Sequence, residues 1–274
     1  MISRSILTTL AYSDHFSFPL TDQEIHLRLN SSGPCSLERV IGTLRLMLKN
    51  HLIQKTGEYY HLPGRKHLVP TRLQRVKLSK LQLSKAKNLT NKISRIPGIL
   101  AIYLTGSLAV LNSDGDSDID LMIITKNHRL WTTRLLLTIY TEFLGLRRRP
   151  LSGHTSDKLC LNLYLTPSSF SIPSSKQSLY TAYELIQAVP LYDPSLTHSA
   201  LLAANSWIST YLPNTISRSD LPPRSDLLGR SDLFGYIELF LYWLQKTYMR
   251  PRLTCEYITP DSAFFHPHDP SPKV

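Results

Sequence analysis

Hydrophobic positions near the start of the chain recur first at helical spacing and then in alternation. The helical spacing predicts a helix over residues 5–12, a second helix from the Thr21-Asp22-Gln23-Glu24 cap to Leu29, and a third over residues 36–51. Residues 52–62 alternate around Thr56-Gly57, which predicts a hairpin turning at that pair. The pattern therefore indicates a small N-terminal unit of helices closed by a hairpin.

A different pattern begins after residue 96. Short apolar runs predict buried strands at Ile99–Leu104, from Asp118 through Ile124, and at Lys158–Leu165. Longer periodic segments predict helices over residues 130–146, 179–192, 196–212 and 233–248. A Ser/Pro-rich loop at 171–176 and a linker at 218–233, in which Arg-Ser-Asp-Leu recurs, separate some of these helices.

These elements predict an α+β, multidomain chain. We expect an N-terminal domain at 1–70, a basic connecting helix at 71–96, an α/β core at 97–192, and a C-terminal helical region and tail at 193–274. A length of 274 residues with 42% hydrophobic content is sufficient for one large or two moderate cores. In the tail, the aromatic pair Phe264-Phe265 is expected to dock on the core.

The cysteines and the apolar segments favour a cytoplasmic protein without a membrane partner. The three cysteines show neither metal-ligand nor redox spacing, which is typical of thiols in a reducing compartment. The longest apolar segments, 130–146 and 233–244, contain charged residues and are short for a membrane span. Both are predicted to be core helices.

The segment Thr105-Gly106-Ser107 and the pair Asp118 and Asp120 carry the clearest chemistry. Alternation along an extended strand points the two carboxylates the same way, about 6–7 Å apart along the chain. Carboxylates so placed can share a Mg²⁺ with substrate phosphates. Gly106 allows a close approach and Ser107 adds a hydroxyl, so the turn could hold a nucleoside triphosphate at the start of a helix.

Over residues 97–126 the chain resembles the DNA polymerase beta-like nucleotidyltransferase superfamily, in particular its small bacterial members. The Gly-Ser pair, the spacer, Ser-Asp-Ile-Asp and the following apolar strand carry the resemblance. It implies that Gly106 and Ser107 bind the nucleotide phosphates and that Asp118 and Asp120 hold two Mg²⁺ ions. It also implies transfer of a nucleoside monophosphate from a nucleoside triphosphate, with release of pyrophosphate. The acceptors of this superfamily range from small molecules to proteins and nucleic acid.

One feature departs from the family pattern, because members usually carry a third carboxylate on a following strand. The corresponding strand, Lys158–Leu165, contains no acid. Its alternation is expected to place Cys160, Asn162 and Tyr164 on one face and leucines on the other. Asn162 could offer a carbonyl oxygen to a metal but cannot act as a general base. Asp157, just before the strand, could reach the site, while Glu184 is expected at a helix surface.

Positive charge is concentrated in one stretch of the chain. The formal net charge is +11, and residues 59–113 contain no acid but ten cations, Arg65, Lys66, Arg72, Arg75, Lys77, Lys80, Lys85, Lys87, Lys92 and Arg95. Such a field favours nucleic acid, nucleotide or an acidic partner. The alternative interpretation is a long helix whose charged face is solvated. Its other face would contain Leu73, Val76, Lys80 and Leu83, which lie near helical spacing.

The N-terminal helices and hairpin resemble a winged-helix domain in their order. In that fold the third helix enters the major groove of DNA, where this chain could offer Arg39, Arg45 and Lys49. Winged helices also serve as protein-contact modules, so both uses stay open.

The sequence is compatible with three functions: a nucleotidyltransferase with an unidentified acceptor, a DNA-binding regulator with a nucleotide-sensing core, and an antitoxin-like transferase that modifies a protein partner.

Overall fold

The computed structural model describes residues 2–148, 156–215 and 234–265. It begins with three helices, α1 (Ile2–His15), α2 (Asp22–Leu27) and α3 (Leu37–Lys49). An antiparallel pair, β1 (Gln54–Thr56) and β2 (Tyr59–His61), follows them. Thr21 and Glu24 form the predicted capping box at the start of α2. A shared hydrophobic core joins these elements and contains Ile6, Leu10, Ile25, Val40, Leu44, Met47 and Tyr60.

Helix α4 (Leu68–Ile93) connects these elements to the rest of the chain. The predicted stripe on this helix is wrong, since Leu73 is 48% exposed and Lys80 is also exposed. The buried stripe is half polar and consists of Leu68, Val69, Arg72, Ser79, Gln82, Ala86, Thr90 and Ile93. Hydrophobic periodicity cannot detect such a face because α4 packs through hydrogen bonds, for example from Gln82 Nε2 to the Ser117 carbonyl.

A mixed six-stranded sheet forms the second part of the fold. In chain order its strands are β3 (Ile99–Leu104), β4 (Ile119–Thr125), β5 (Leu159–Leu165), β6 (Val189–Tyr192), β7 (Tyr257–Ile258) and β8 (Ser262–Phe264). Their order in the sheet is β6-β3-β4-β5-β8-β7. Strands β4 and β5 are parallel, and the other described neighbours are antiparallel. The expectation of a mixed α+β chain is thus confirmed.

Helices and hydrophobic cores cover both faces of the sheet. One core contains Tyr103, Met122 and Leu163 together with residues of α7 (Leu179–Gln187), α8 (Thr197–Ala203) and α9 (Ile208–Tyr211). The opposite core contains Ile102, Leu121 and residues of α6 (Leu130–Phe143). Helix α10 (Phe234–Met249) packs against α6. Alternate residues of β3 and β4 contribute to the two cores, because successive side chains of a strand point to opposite faces of the sheet.

No helix among the described residues has the length and apolar character to cross a membrane.

Three predictions about the C-terminal half are wrong. Residues Val189–Tyr192 form strand β6 and not the end of a helix, because Pro190 disfavours helical backbone at Ala188–Val189. The predicted helix 196–212 is interrupted at Asn205, whose side chain bonds to the Phe170 and Leu201 carbonyls. The predicted helical region 193–274 also contains β7 and β8, which are too short to show periodicity.

The predicted docking of the aromatic pair in the tail is confirmed. Phe264 lies in β8 and is 5% exposed, and the Phe265 amide donates to the Asn162 carbonyl at 2.8 Å. The predicted linker 218–233 and the tail beyond Phe265 lie outside the described residues.

We expect Arg72→Ala to lower the free energy of unfolding by about 2–4 kcal/mol, because it leaves a partly buried carboxylate without its cation. The Arg72 guanidinium is 2.6 Å from Glu24 Oε1 and 2.6 Å from the Pro19 carbonyl, and it stacks on the Phe18 ring. Urea unfolding measures the loss. Lys80→Ala, an exposed cation on the same helix, is the matched control and should change stability by less than about 0.5 kcal/mol. Equal effects would contradict a structural role for Arg72.

Candidate active site

The predicted site residues lie together at one edge of the sheet. The register pairs Leu104 at the end of β3 with Leu121 near the start of β4. The amide of Thr105 donates to the carbonyl of Asp120 at 3.0 Å. Because β5 runs parallel to β4, its first residues reach the same edge. Three segments that are distant in the chain therefore meet where β3 ends and β4 and β5 begin.

Gly106 lies directly against the carboxylate of Asp120. Its φ is +66°, and a Cβ atom built there would be 2.3 Å from Asp120 Oδ2. That separation is far below van der Waals contact, so only glycine fits at this position without displacing the carboxylate. Sequence reasoning attributed the glycine to the approach of phosphates. The neighbour found here is Asp120, and phosphate binding by Gly106 and Ser107 stays a prediction.

Asp118 and Asp120 bring their carboxylates together with Cys160. Ligand atoms of the three side chains all lie within 4.8 Å of one another, and each residue is partly buried. Ile119 and Leu121, which alternate with the two acids, are buried in the core on the opposite face. The alternation expected from the sequence is therefore found.

A β-bulge in β5 places Asn162 beside Asp120. The register runs from Leu121↔Leu161 directly to Met122↔Leu163, so Asn162 is the extra residue. Its Nδ2 donates to Asp120 Oδ1 at 3.0 Å. The residue is 6% exposed, and its Oδ1 has no hydrogen-bond partner among the described residues. The structure thus brings the proposed third-position group into the carboxylate cluster.

The bulge also overturns part of the predicted pattern of β5. Tyr164 was expected on the face of Asn162 but lies in the opposite core with Leu159. Leu163 and Leu165 take the other face. Burial raises the pKa of Tyr164 to about 12, so its hydroxyl stays protonated at neutral pH. An extra residue in one strand shifts all later side chains by one position, which simple alternation cannot anticipate.

Cys160 is a site residue that the sequence did not identify. Its pairing with Asp120 in the β4–β5 register places its Sγ within the carboxylate cluster. Burial, and next the charges of Asp120 and Asp118, raise the pKa of this thiol well above its ordinary value. The thiol is consequently protonated at neutral pH. Strand alternation placed it on the face of Asn162, but the cysteines show no metal-ligand spacing that would mark it as a site residue.

Arg148 is a second residue that sequence reasoning missed. The run Arg147-Arg148-Arg149 follows the apolar segment 130–146, and cations at a helix C-terminus are favourable in their own right, so the sequence gives no signal of a site there. In the structure Arg148 Nη1 lies 2.7 Å from Asp118 Oδ2 and 3.5 Å from Cys160 Sγ. Its amide donates to the Leu159 carbonyl, which fixes the backbone beside β5. A guanidinium therefore compensates one of the two carboxylates.

The other acids considered from the sequence have different positions. Asp157 forms an ion pair with Lys85 of α4 at 2.6 Å and is not part of the cluster. Glu184 was expected at a helix surface, but it is 9% exposed because α7 is buried on several sides. Asp114 accepts hydrogen bonds from the Ser117 hydroxyl and the Asp116 amide, so it closes the loop that precedes β4.

Comparisons of the chain with protein-family models, with curated proteins and with solved structures gave no match.

We expect Gly106→Ala to be more destabilising than Gly57→Ala. Both glycines have similar left-handed backbone, with φ values of +66° and +60°, but nothing lies within 4 Å of a Cβ at position 57. The control should lose about 1–2 kcal/mol from backbone strain alone. Gly106→Ala should lose a further ~1–3 kcal/mol from its clash with Asp120. Unfolding in urea compares the variants, and equal losses would show that the close contact carries no energy.

Proposed function

We propose that this chain is a nucleotidyltransferase that moves a nucleoside monophosphate from a nucleoside triphosphate to an acceptor. The observation that supports the proposal most directly is the contact of Gly106 with Asp120, whose carboxylate and that of Asp118 have ligand atoms within 4.8 Å of each other. A turn that exposes backbone beside two acids brings phosphate and metal ligands to one place. This is the arrangement that phosphoryl and nucleotidyl transfer require.

The donor set fits Mg²⁺. This ion prefers oxygen ligands and is usually held by one or two carboxylates, with substrate phosphates and waters completing the shell. Asp118 and Asp120 would supply the carboxylates, and the unpaired Oδ1 of Asn162 is a further oxygen close to Asp120. Cys160, as a protonated thiol, is a poor Mg²⁺ ligand. Bound Mg²⁺ would neutralise phosphate charge and assist the departure of pyrophosphate, with a second ion expected from the resemblance.

The remaining steps fall to the residues of the chain. Gly106 and Ser107 would orient the triphosphate at the end of β3, through backbone N–H groups and the Ser107 hydroxyl. Arg148 is already within reach of Asp118 and carries donors whose fork geometry suits phosphate oxygens. The acceptor would approach from the open side of the sheet edge and attack the α-phosphorus in line with the leaving pyrophosphate.

Activation of the acceptor is the weak point of the site. Asn162 holds no proton-accepting carboxylate, and the Cys160 thiol is protonated, so neither can serve as an efficient general base. General-base assistance typically contributes about 10²–10⁴ in rate. We therefore propose slow turnover, or an acceptor whose attacking group is already nucleophilic.

The decisive experiment is incubation of the protein and Mg²⁺ with each nucleoside triphosphate radiolabelled at the α-phosphate, with and without cell extract. Label transfer and pyrophosphate release should fall by about 100-fold or more in the Asp118→Asn, Asp120→Asn double variant, because metal charge stabilisation is worth several kcal/mol. Asp116→Asn, an exposed acid of the same loop, is the control and should retain activity. The labelled species would identify the acceptor as protein, nucleic acid or small molecule. No transfer by the wild type to any extract component would contradict the proposal.

A second test restores the third carboxylate. Asn162→Asp should lower stability by about 1–2 kcal/mol without metal, because a buried charge is added beside Asp120. Mg²⁺ should recover that loss, since a ligand that binds only the folded state stabilises it. Thermal unfolding with and without Mg²⁺ measures both effects, and label transfer should rise. The same substitution in the Asp118→Asn, Asp120→Asn background should show no Mg²⁺-dependent recovery. Recovery there would place the metal elsewhere.

The surface of α3 supports a second candidate, a DNA-binding regulator whose transferase-like core senses nucleotide. Val40, Leu44 and Met47 of α3 are buried, whereas Arg39, Arg45 and Lys49 are exposed. An exposed basic stripe is what a recognition helix needs in order to contact phosphates and bases. The absence of an acid at position 162 also favours this candidate. In that case the Asp118→Asn, Asp120→Asn variant would bind DNA as the wild type does, and Arg39→Ala with Arg45→Ala would not.

A further inference from the structure

Helix α10 is packed with its polar side inward. Glu238 and Gln245, which are 5% and 8% exposed, face the protein. Phe240 and Trp243, on the same helix, are 58% and 61% exposed. A surface helix of a globular protein normally shows the opposite arrangement, with its apolar stripe toward the core. The outward side of α10 therefore has the composition of an interior.

Hydrogen bonds to α6 fix this orientation. The Glu238 carboxylate accepts from the amides of Trp131 and Thr132 and, at 2.6 Å, from the Thr132 hydroxyl. Amides in the first turn of a helix have no carbonyl partner within that helix. Glu238 supplies the missing acceptor, and its negative charge also suits the N-terminus of α6, so it caps that helix. Gln245 donates to the Trp131 carbonyl at 2.9 Å and accepts from Arg134 at 2.6 Å. Rotating α10 to bury its aromatic residues would break all these bonds.

The exposed apolar residues extend over both helices. On α10 they are Tyr236, Ile237, Leu239, Phe240, Trp243, Leu244 and Tyr248. On α6 they are Leu136, Ile139, Tyr140 and Phe143. We call these residues the α6–α10 face. Phe143 is 87% exposed, and Tyr236 is 80% exposed.

We propose that the α6–α10 face is covered by a second copy of this chain in a symmetric dimer. The area is appropriate: five aromatic residues of the face are 58–87% exposed. At roughly 150–250 Å² for each side chain they present about 700 Å². A stable interface buries about 800 Å² on each partner, and the aliphatic residues add to the aromatic area. In a dimer with a two-fold axis the same patch meets itself, so no second complementary surface is required.

The charges of α10 favour a protein partner over a lipid surface. Interface centres are rich in aromatic residues and poor in charged ones. The single cation of α10, Lys246, already contacts the Tyr242 hydroxyl at 2.7 Å, and its acid, Glu238, is buried on α6. A helix that lies on a membrane carries lysines and arginines on the side opposite its apolar stripe. That side of α10 holds Glu238 and Gln245 instead.

Sedimentation velocity and light scattering of the full chain test the proposal. The wild type should be a dimer at about 10 µM, since interfaces of this size have dissociation constants from micromolar to picomolar. Phe240→Glu with Trp243→Glu should give a monomer with unchanged urea unfolding at low concentration, because both side chains are exposed. Leu81→Glu, on α4, replaces a side chain that is 68% exposed outside the face and should leave the dimer intact.

Three outcomes would overturn the inference. A wild type that stays monomeric at about 100 µM would exclude a dimer of useful strength. A double variant that remains dimeric would place the interface elsewhere. A monomeric wild type that floats with phosphatidylcholine–phosphatidylglycerol vesicles would assign the face to lipid. None of these results depends on nucleotidyl transfer, because the substituted residues are not part of the carboxylate cluster.

Discussion

The contact between Gly106 and Asp120 is the constraint on which the candidate site depends. It requires that β3 and β4 pair in one register, since a slip by one residue would turn Asp120 to the opposite face. The Thr105 amide bond to the Asp120 carbonyl and the Leu104↔Leu121 pair hold that register. Once it is set, the turn after β3 must pass the carboxylate so closely that a side chain at 106 is excluded. Backbone pairing in the sheet, and not a long-range salt bridge, therefore determines where the acids lie.

Bringing two carboxylates together has an electrostatic cost that the neighbouring residues offset. Arg148 bonds to Asp118, and the amide of Asn162 bonds to Asp120. Any cation entering the cluster would compete with both donors. The two donors would respond differently to a bound cation. The Arg148 guanidinium can leave Asp118 and bind a phosphate, whereas the Asn162 amide can rotate and present its unpaired oxygen to the cation. In the proposed transferase, an asparagine in place of an acid would therefore weaken proton transfer more than metal binding.

The sequence was most informative where a local signal determines local structure. The Thr21 capping box and the alternation of Asp118 and Asp120 each predicted what the structure contains. The hairpin is also found, but it turns at Gly57-Glu58, one residue later than predicted, since Thr56 pairs with Tyr59. It was least informative where partners are distant in the chain. The bulge at Asn162, the pairing of β8 with β5 and the contact of Arg148 with Asp118 arise from tertiary packing. The buried face of α4 was missed for a related reason, because Arg72 and Gln82 on that face bond to Pro19, Ser113 and Ser117 from other segments.

Helix α10 shows the same effect of distant partners at the protein surface. Hydropathy alone would turn its aromatic stripe toward the core, yet the helix buries a glutamate and a glutamine. The burial is tolerable because Glu238 and Gln245 both bond to the first turn of α6, leaving little of the usual penalty for buried polar groups. Among the described residues, Phe240 and Trp243 on the opposite side of α10 remain more than half exposed. A second copy of the chain, as proposed, would cover the apolar side that α10 leaves exposed among the described residues.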